Sequence, residues 1–193
     1  MSKTNNNNML GSNKVSQYEI DNFDLSPHLV NFLWSEPFYS RILRSLDKKE
    51  TNEIPTAGVT CIDGDITLYW NRSFMAGLSK QQVNGLLKHE CLHLVFGHTT
   101  ERRKDPHIIW NYATDLAINS TIPEYELPKG GLIPGKELFL DEDQKSNMSE
   151  KELQNFNSLS NLIKSLPLNK TSEYYFEKLI SDSDIKDYLK KIE

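Results

Sequence analysis

Residues 79–97, SKQQVNGLLKHECLHLVFG, constrain the fold more tightly than any other stretch of the chain. Ser79 followed three positions later by Gln82 is a capping box: the hydroxyl accepts from an early backbone N–H and the glutamine side chain reaches back to the cap. The pattern predicts a helix from about Lys80 through Phe96 that stops at Gly97, since glycine enters the left-handed conformation of helix ends without steric penalty. Such an apolar helix is built to be buried, yet it carries His89, Glu90 and His93, groups whose burial without partners is unfavourable. His89 and His93 are four apart, so both imidazoles leave one face, one turn apart, the spacing that grips a single metal ion. Glu90 occupies the position from which, in H-E-x-x-H segments, a carboxylate acts as general base on water while the ion polarises a scissile carbonyl. One zinc ion (Zn2+) is the cofactor expected.

Catalytic zinc takes three protein ligands and leaves a position open. His98 is nearest in sequence, but on a continued helix its ring would project about 140° from that of His93, so only a turn at Gly97 would return it. Asp115 is the preferred third ligand. In WNYATDLAINSTIP, Asn111, Asp115 and Asn119 form an i, i+4, i+8 stripe on a helix whose other faces carry Trp110, Ala113, Leu116, Ala117 and Ile118. A carboxylate in that company needs a cation, and Asn111 and Asn119 are then expected to hydrogen-bond around the ligands. On the plainer reading the stripe is the wet face of an amphipathic helix.

Elsewhere the chain reads as α+β, mostly helical with a small sheet. Residues 1–16, rich in Asn, Ser and Lys, hold too little apolar surface to offset the entropy of ordering and are expected to be disordered, leaving 17–193 as a single domain. Leu29, Phe32, Leu33, Phe38, Ile42, Leu43 and Leu46 follow helical spacing from Pro27, with a break at Pro37; Trp34, Phe38 and Tyr39 are expected to pack in the core. AGVTCIDGDITLYW alternates on both sides of Asp63-Gly64-Asp65, a β-hairpin. Its second strand, with Ile66, Leu68 and Trp70, is expected to seat substrate by pairing with an extended peptide. Asp105-Pro106 reads as N-cap and first residue of a helix to about Ser120. LPKGGLIPG is loop and DEDQKSN an acidic connection, followed by helices over Ser149–Ser165, Thr171 or Ser172 to Ile180, and Ile185–Lys191.

A net charge of −5 with no long basic run argues against a nucleic-acid partner, and ERRK at 101–104 is read as the solvated end of a helix. No apolar run approaches the roughly 18 residues of a membrane span, and no signal-peptide pattern opens the chain, so a cytoplasmic protein is expected. Cys61 and Cys91 are too few for a disulfide framework and are read as free. His28 and His107 read as surface residues at helix starts. Tyr112 and Tyr125 could reach a substrate oxyanion, and spacing selects neither. Phosphate-binding loops, dinucleotide glycine patterns, serine-nucleophile elbows and paired CxxC motifs are missing, which leaves nucleotide hydrolysis, hydride transfer and acyl-enzyme chemistry without support.

LLKHECLHLVFGHTTERR, then WNYATDLAINSTI, LPKGGLIP and SEYYFEKL, together resemble the bacterial and phage metallopeptidase-like domain that commonly precedes a von Willebrand factor A-like domain, over most of residues 28–180. The resemblance implies a zincin-like fold, a zinc-dependent hydrolase site at His89, Glu90 and His93, and further polar positions at His98, Asp115 and Asn119. Ending at Glu193, the sequence is read as lacking that partner domain, either as a trimmed piece or as a stand-alone form. The leading expectation is a zinc peptidase acting on peptide or protein substrates. The alternative is a non-catalytic, zinc-stabilised binding or regulatory module working with an ATPase or von Willebrand factor A-like partner.

Overall fold

The computed structural model describes residues 15–191. Most of the segment expected to be disordered, residues 1–14, therefore lies outside the described residues, while Ser16 is the N-cap, with Glu19, of helix α1 (Gln17–Asn22). Helices α2 (Ser26–Ser35) and α3 (Pro37–Arg44) follow, divided at Pro37, whose ring cannot sit inside a continuous helix. A three-stranded sheet comprises β1 (Asp47–Glu50), β2 (Ala57–Ile62) and β3 (Asp65–Trp70). After the short α4 (Arg72–Ala76) come the two long helices α5 (Lys80–Val95) and α6 (His107–Asn119). A 3-10 turn at Glu124–Glu126 leads to α7 (Glu142–Ser146), α8 (Glu150–Ser165), α9 (Ser172–Ser181) and α10 (Ser183–Lys191). The class is α+β and mostly helical, and no described helix is long and apolar enough to cross a membrane.

Two cores flank the α5–α6 pair. Phe32, Leu43, Leu68, Met75, Val83, Leu87 and Cys91 form the first, joining α2, α3, the sheet and one side of α5. Trp110, Leu116, Phe156, Leu159, Tyr175 and Leu179 belong to the second, which joins α6 to α8, α9 and α10. A small cluster of Leu92, Ile118, Ile122 and Leu127 closes the seam between α5 and α6. Each long helix thus buries one flank in a core and meets its neighbour with the other, which is why both read as apolar almost all round.

The hairpin turns through Asp63 (φ 52) and Gly64 (φ 89), two left-handed residues that match the strand twist. The strand order is β1-β3-β2. β1 runs parallel to β3, Lys48 opposite Leu68, and β2 antiparallel to it, Val59 opposite Leu68. Both edges of β3 are therefore occupied, and Leu68 and Trp70 point into the first core. This corrects the expectation that Ile66, Leu68 and Trp70 seat a substrate strand: the sheet's outer edges belong to β1 and β2, and it is β2 that lines the cleft.

Other expectations are corrected as well. Trp34 is 84% and Phe38 63% exposed, because α2 buries Phe32 instead, and only Tyr39 of that trio packs inward. Pro106, extended at ψ 139, is the N-cap of α6, so helical dihedrals begin at His107 and Asp105 caps nothing. DEDQKSN contains α7, held by an Asp141–Gln144 capping box.

Candidate metal centre

Across the α5–α6 seam three donor atoms converge. His89 and His93 bring their Nε2 atoms to 2.9 Å from each other. Oδ1 of Asp115, from α6, lies 3.4 Å from the first and 3.2 Å from the second. The tautomer of His89 follows from its neighbour. Asn119 donates from Nδ2 to the Leu132 carbonyl at 2.9 Å, which turns Oδ1 toward the ring at 2.8 Å from Nδ1. An amide oxygen only accepts, so Nδ1 carries the proton and Nε2 presents its lone pair inward.

Two imidazole nitrogens and a carboxylate oxygen aimed at one point repel one another unless a proton or a cation lies among them. Four-coordinate zinc with N and O ligands at about 2.0–2.2 Å implies donor separations of about 3.3–3.6 Å, close to those present, and the donor set suits zinc. The residues fit the ion. Burial opposes charge on His89, but the hydrogen bond and negative charge of Asp115 outweigh it and raise the imidazole to about 9. Burial likewise pushes the Asp115 carboxyl up, and His89 and His93 override it, holding the group well below the usual carboxylate range. A metal-free site therefore holds a proton that a cation can displace.

Glu90 is buried at 4% exposure and lines the same cleft. No described residue hydrogen-bonds its carboxylate. The cleft, of about 480 Å³, also takes in Ala57, Gly58 and Val59, the strand whose outer edge is free. Sequence periodicity marked the hairpin but not which of its strands stood at the sheet edge.

Gly97 (φ 67) ends the helix as expected. Its N–H donates to Leu94 O at 3.0 Å and that of His98 to His93 O at 2.9 Å, the paired bonds of a Schellman motif. The turn carries the His98 ring, 3% exposed, to Ser172 Oγ, 3.0 Å from Nε2, and not into the trio. Burial, then His93 and Arg102, lower this imidazole to about 3, so it is neutral. Asn119 lies between His89 and the Leu132 carbonyl, whereas Asn111 is exposed in the cleft wall and bonds none of His89, His93 and Asp115. Tyr112 lines the cleft; Tyr125 is exposed outside it. His107 lines it too, while His28 stacks on Phe23.

ERRK is not a solvated helix end. Arg102 forks onto Glu173 with Nη2 at 2.7 and 2.8 Å and donates from Nη1 to Phe96 O, and Lys104 lies over the Trp110 and Phe176 rings. Two further residues set α5 and carry little sequence signal. Gly85 lets the Glu126 backbone approach so closely that a Cβ would lie 2.1 Å from its carbonyl oxygen. One turn on, Lys88 bridges Glu36 at 2.6 Å and Glu126 at 2.7 Å.

A helix bearing H-E-x-x-H, with a carboxylate from a second helix closing on its two histidines, defines the class: a candidate metal centre of the metallopeptidase kind. The chain belongs to the family described as "Putative metallopeptidase domain", which matches residues 27–167. An uncharacterized protein of Thermotoga maritima is 32% identical over 105 residues, covering 52% of this chain and 26% of that protein. This chain thus spans about a quarter of the length of that relative. No solved structure matches it.

Proposed function

We propose that the protein is a zinc-dependent peptidase in which His89, His93 and Asp115 hold the ion and Glu90 is the general base. The observation that carries this reading is the convergence of three lone-pair donors in a cleft that also contains the Glu90 carboxylate, hydrogen-bonded to no described residue, and a free strand edge. A zinc ion there supplies Lewis acidity, polarising a scissile carbonyl and acidifying water. Glu90 takes the proton of the attacking water at a carboxylate oxygen and delivers it to the departing amine nitrogen. Asn119 keeps the proton of His89 on Nδ1. The outer edge of β2 offers unpaired backbone groups to an extended peptide, so the substrate aligns by main-chain hydrogen bonds beside Glu90.

Glu90→Gln is the test. The variant keeps the size of the side chain and loses its basicity; it is expected to bind zinc as the wild type does and to lose cleavage of unstructured protein substrates by at least about a hundredfold. Equal cleavage by the two proteins would remove Glu90 from the reaction.

A further inference from the structure

Apart from Glu90 and Asp115, no carboxylate among the described residues lines the cleft, and its only Lys or Arg is Arg103. In the run Arg102-Arg103-Lys104 the outer two are engaged, with Glu173 and with the Trp110 and Phe176 rings. Arg103 is exposed on the cleft wall with no ion pair or hydrogen bond to a described residue. Its two chain neighbours are anchored, Arg102 by the fork onto Glu173 and Lys104 over the Trp110 and Phe176 rings. Along α6, His107, Asn111, Asp115 and Asn119 succeed one another at four-residue intervals, and all four line the cleft. The Asn119 end is walled by apolar Leu127, Pro128 and Leu132; Arg103 lines the cleft from the segment four residues ahead of His107, the first residue of α6.

We propose that this cleft selects peptides with a carboxylate, read by Arg103, which enters the cleft just ahead of the His107 end of α6. The proposal rests on the peptidase reading and deepens it by naming the substrate class. His107 and Asp115 are eight residues apart, about 12 Å along a helix axis. At about 3.3 Å per extended residue, the carboxylate sits three to four residues from the bond that Glu90 addresses. An arginine fork takes a carboxylate in bidentate fashion, and both an acidic side chain and a free C-terminus present one.

The experiment uses fluorescein-labelled peptides identical except for Glu, Gln or Lys three or four residues from a central apolar pair, each with a free or an amidated C-terminus. Binding to the zinc-loaded Glu90→Gln protein is read by anisotropy at low salt, and cleavage by the wild type is followed in parallel. The expected result is about five- to tenfold tighter binding of a carboxylate-bearing peptide than of its neutral counterpart. That difference disappears in Arg103→Ala, returns in part in Arg103→Lys and inverts toward the Lys peptide in Arg103→Glu. Loss of the preference on amidation alone assigns it to the C-terminus; its persistence assigns it to the side chain. Equal binding of the Glu, Gln and Lys peptides, with free and amidated ends alike, or no binding of any of them, overturns the inference. Cleavage without a charge preference leaves the peptidase reading standing alone, whereas Arg103-dependent binding without wild-type cleavage removes that reading and leaves the carboxylate site.

Discussion

Asn119 and His89, thirty residues apart in sequence, meet at 2.8 Å between Oδ1 and Nδ1, and the same amide holds the Leu132 carbonyl through Nδ2. One buried side chain thereby fixes the His89 tautomer and ties α6 to the loop that follows it. Asn119→Leu is expected to lower zinc affinity by about 10- to 100-fold, as loss of a ligand-orienting partner does elsewhere. It should also cost about 1–3 kcal/mol of stability through the unsatisfied Leu132 carbonyl. Chelator competition and thermal unfolding read the two effects separately; an unchanged affinity would deny the amide its orienting role.

Metal-free protein should show a defined pH dependence. His89 is raised from 6.5 to about 9, so its contribution is full below 6.5 and lost as pH climbs through 9. Asp115, lowered from 3.8, contributes above that value and loses its contribution as pH falls further. Buried His98, lowered from 6.5 to about 3, acts in the opposite sense to His89, stabilising fully above 6.5 and progressively less toward 3. Stability of the chelated protein is therefore expected to peak near pH 6.5. On the proposed reading zinc would displace the His89 proton, so zinc-loaded protein should not show the decline between 6.5 and 9. Melting temperatures measured with and without chelator check this, and parallel curves across that window would contradict it.

Gly85→Ala should destabilise without touching the donors. Its Cβ would fall 2.1 Å from Glu126 O and 2.7 Å from Glu126 C, backbone atoms that can move only with the whole turn. Overpacking of this kind costs about 2–3 kcal/mol, equivalent to a drop of about 5–10 °C for a chain of this size. A melting temperature within a degree of the wild type would mean that the turn yields freely.

Much of this arrangement is legible in residue order because it depends on local chemistry. Ser79 and Gln82 mark the start of α5, Gly97 its end, and Asp63-Gly64 the hairpin. The pairing of His89 and His93 with Asp115 follows from helical spacing and from the difficulty of burying a lone carboxylate. Strand order follows no such rule. β1 is Asp-Lys-Lys-Glu, with no apolar alternation to announce it, and its pairing is made by backbone groups that sequence does not display. Once β1 takes the second edge of β3, that strand is central and the outer edges fall to β1 and β2, while Ile66, Leu68 and Trp70 share the face that the first core covers. Trp34 and Phe38 misled for a related reason: helical spacing shows that residues share a face, not which face the core covers. His98 is positioned by the Schellman turn, whose glycine was evident but whose direction toward Ser172 depends on α9, far along the chain.

The most direct test of the central claim is elemental analysis of zinc-loaded, desalted protein, comparing wild type with Asp115→Ala and His98→Ala. About one zinc per chain in the wild type and in His98→Ala, with much less in Asp115→Ala, is the predicted result. No zinc in the wild type, or loss in His98→Ala with retention in Asp115→Ala, would contradict the assignment of His89, His93 and Asp115 as the set that holds the ion.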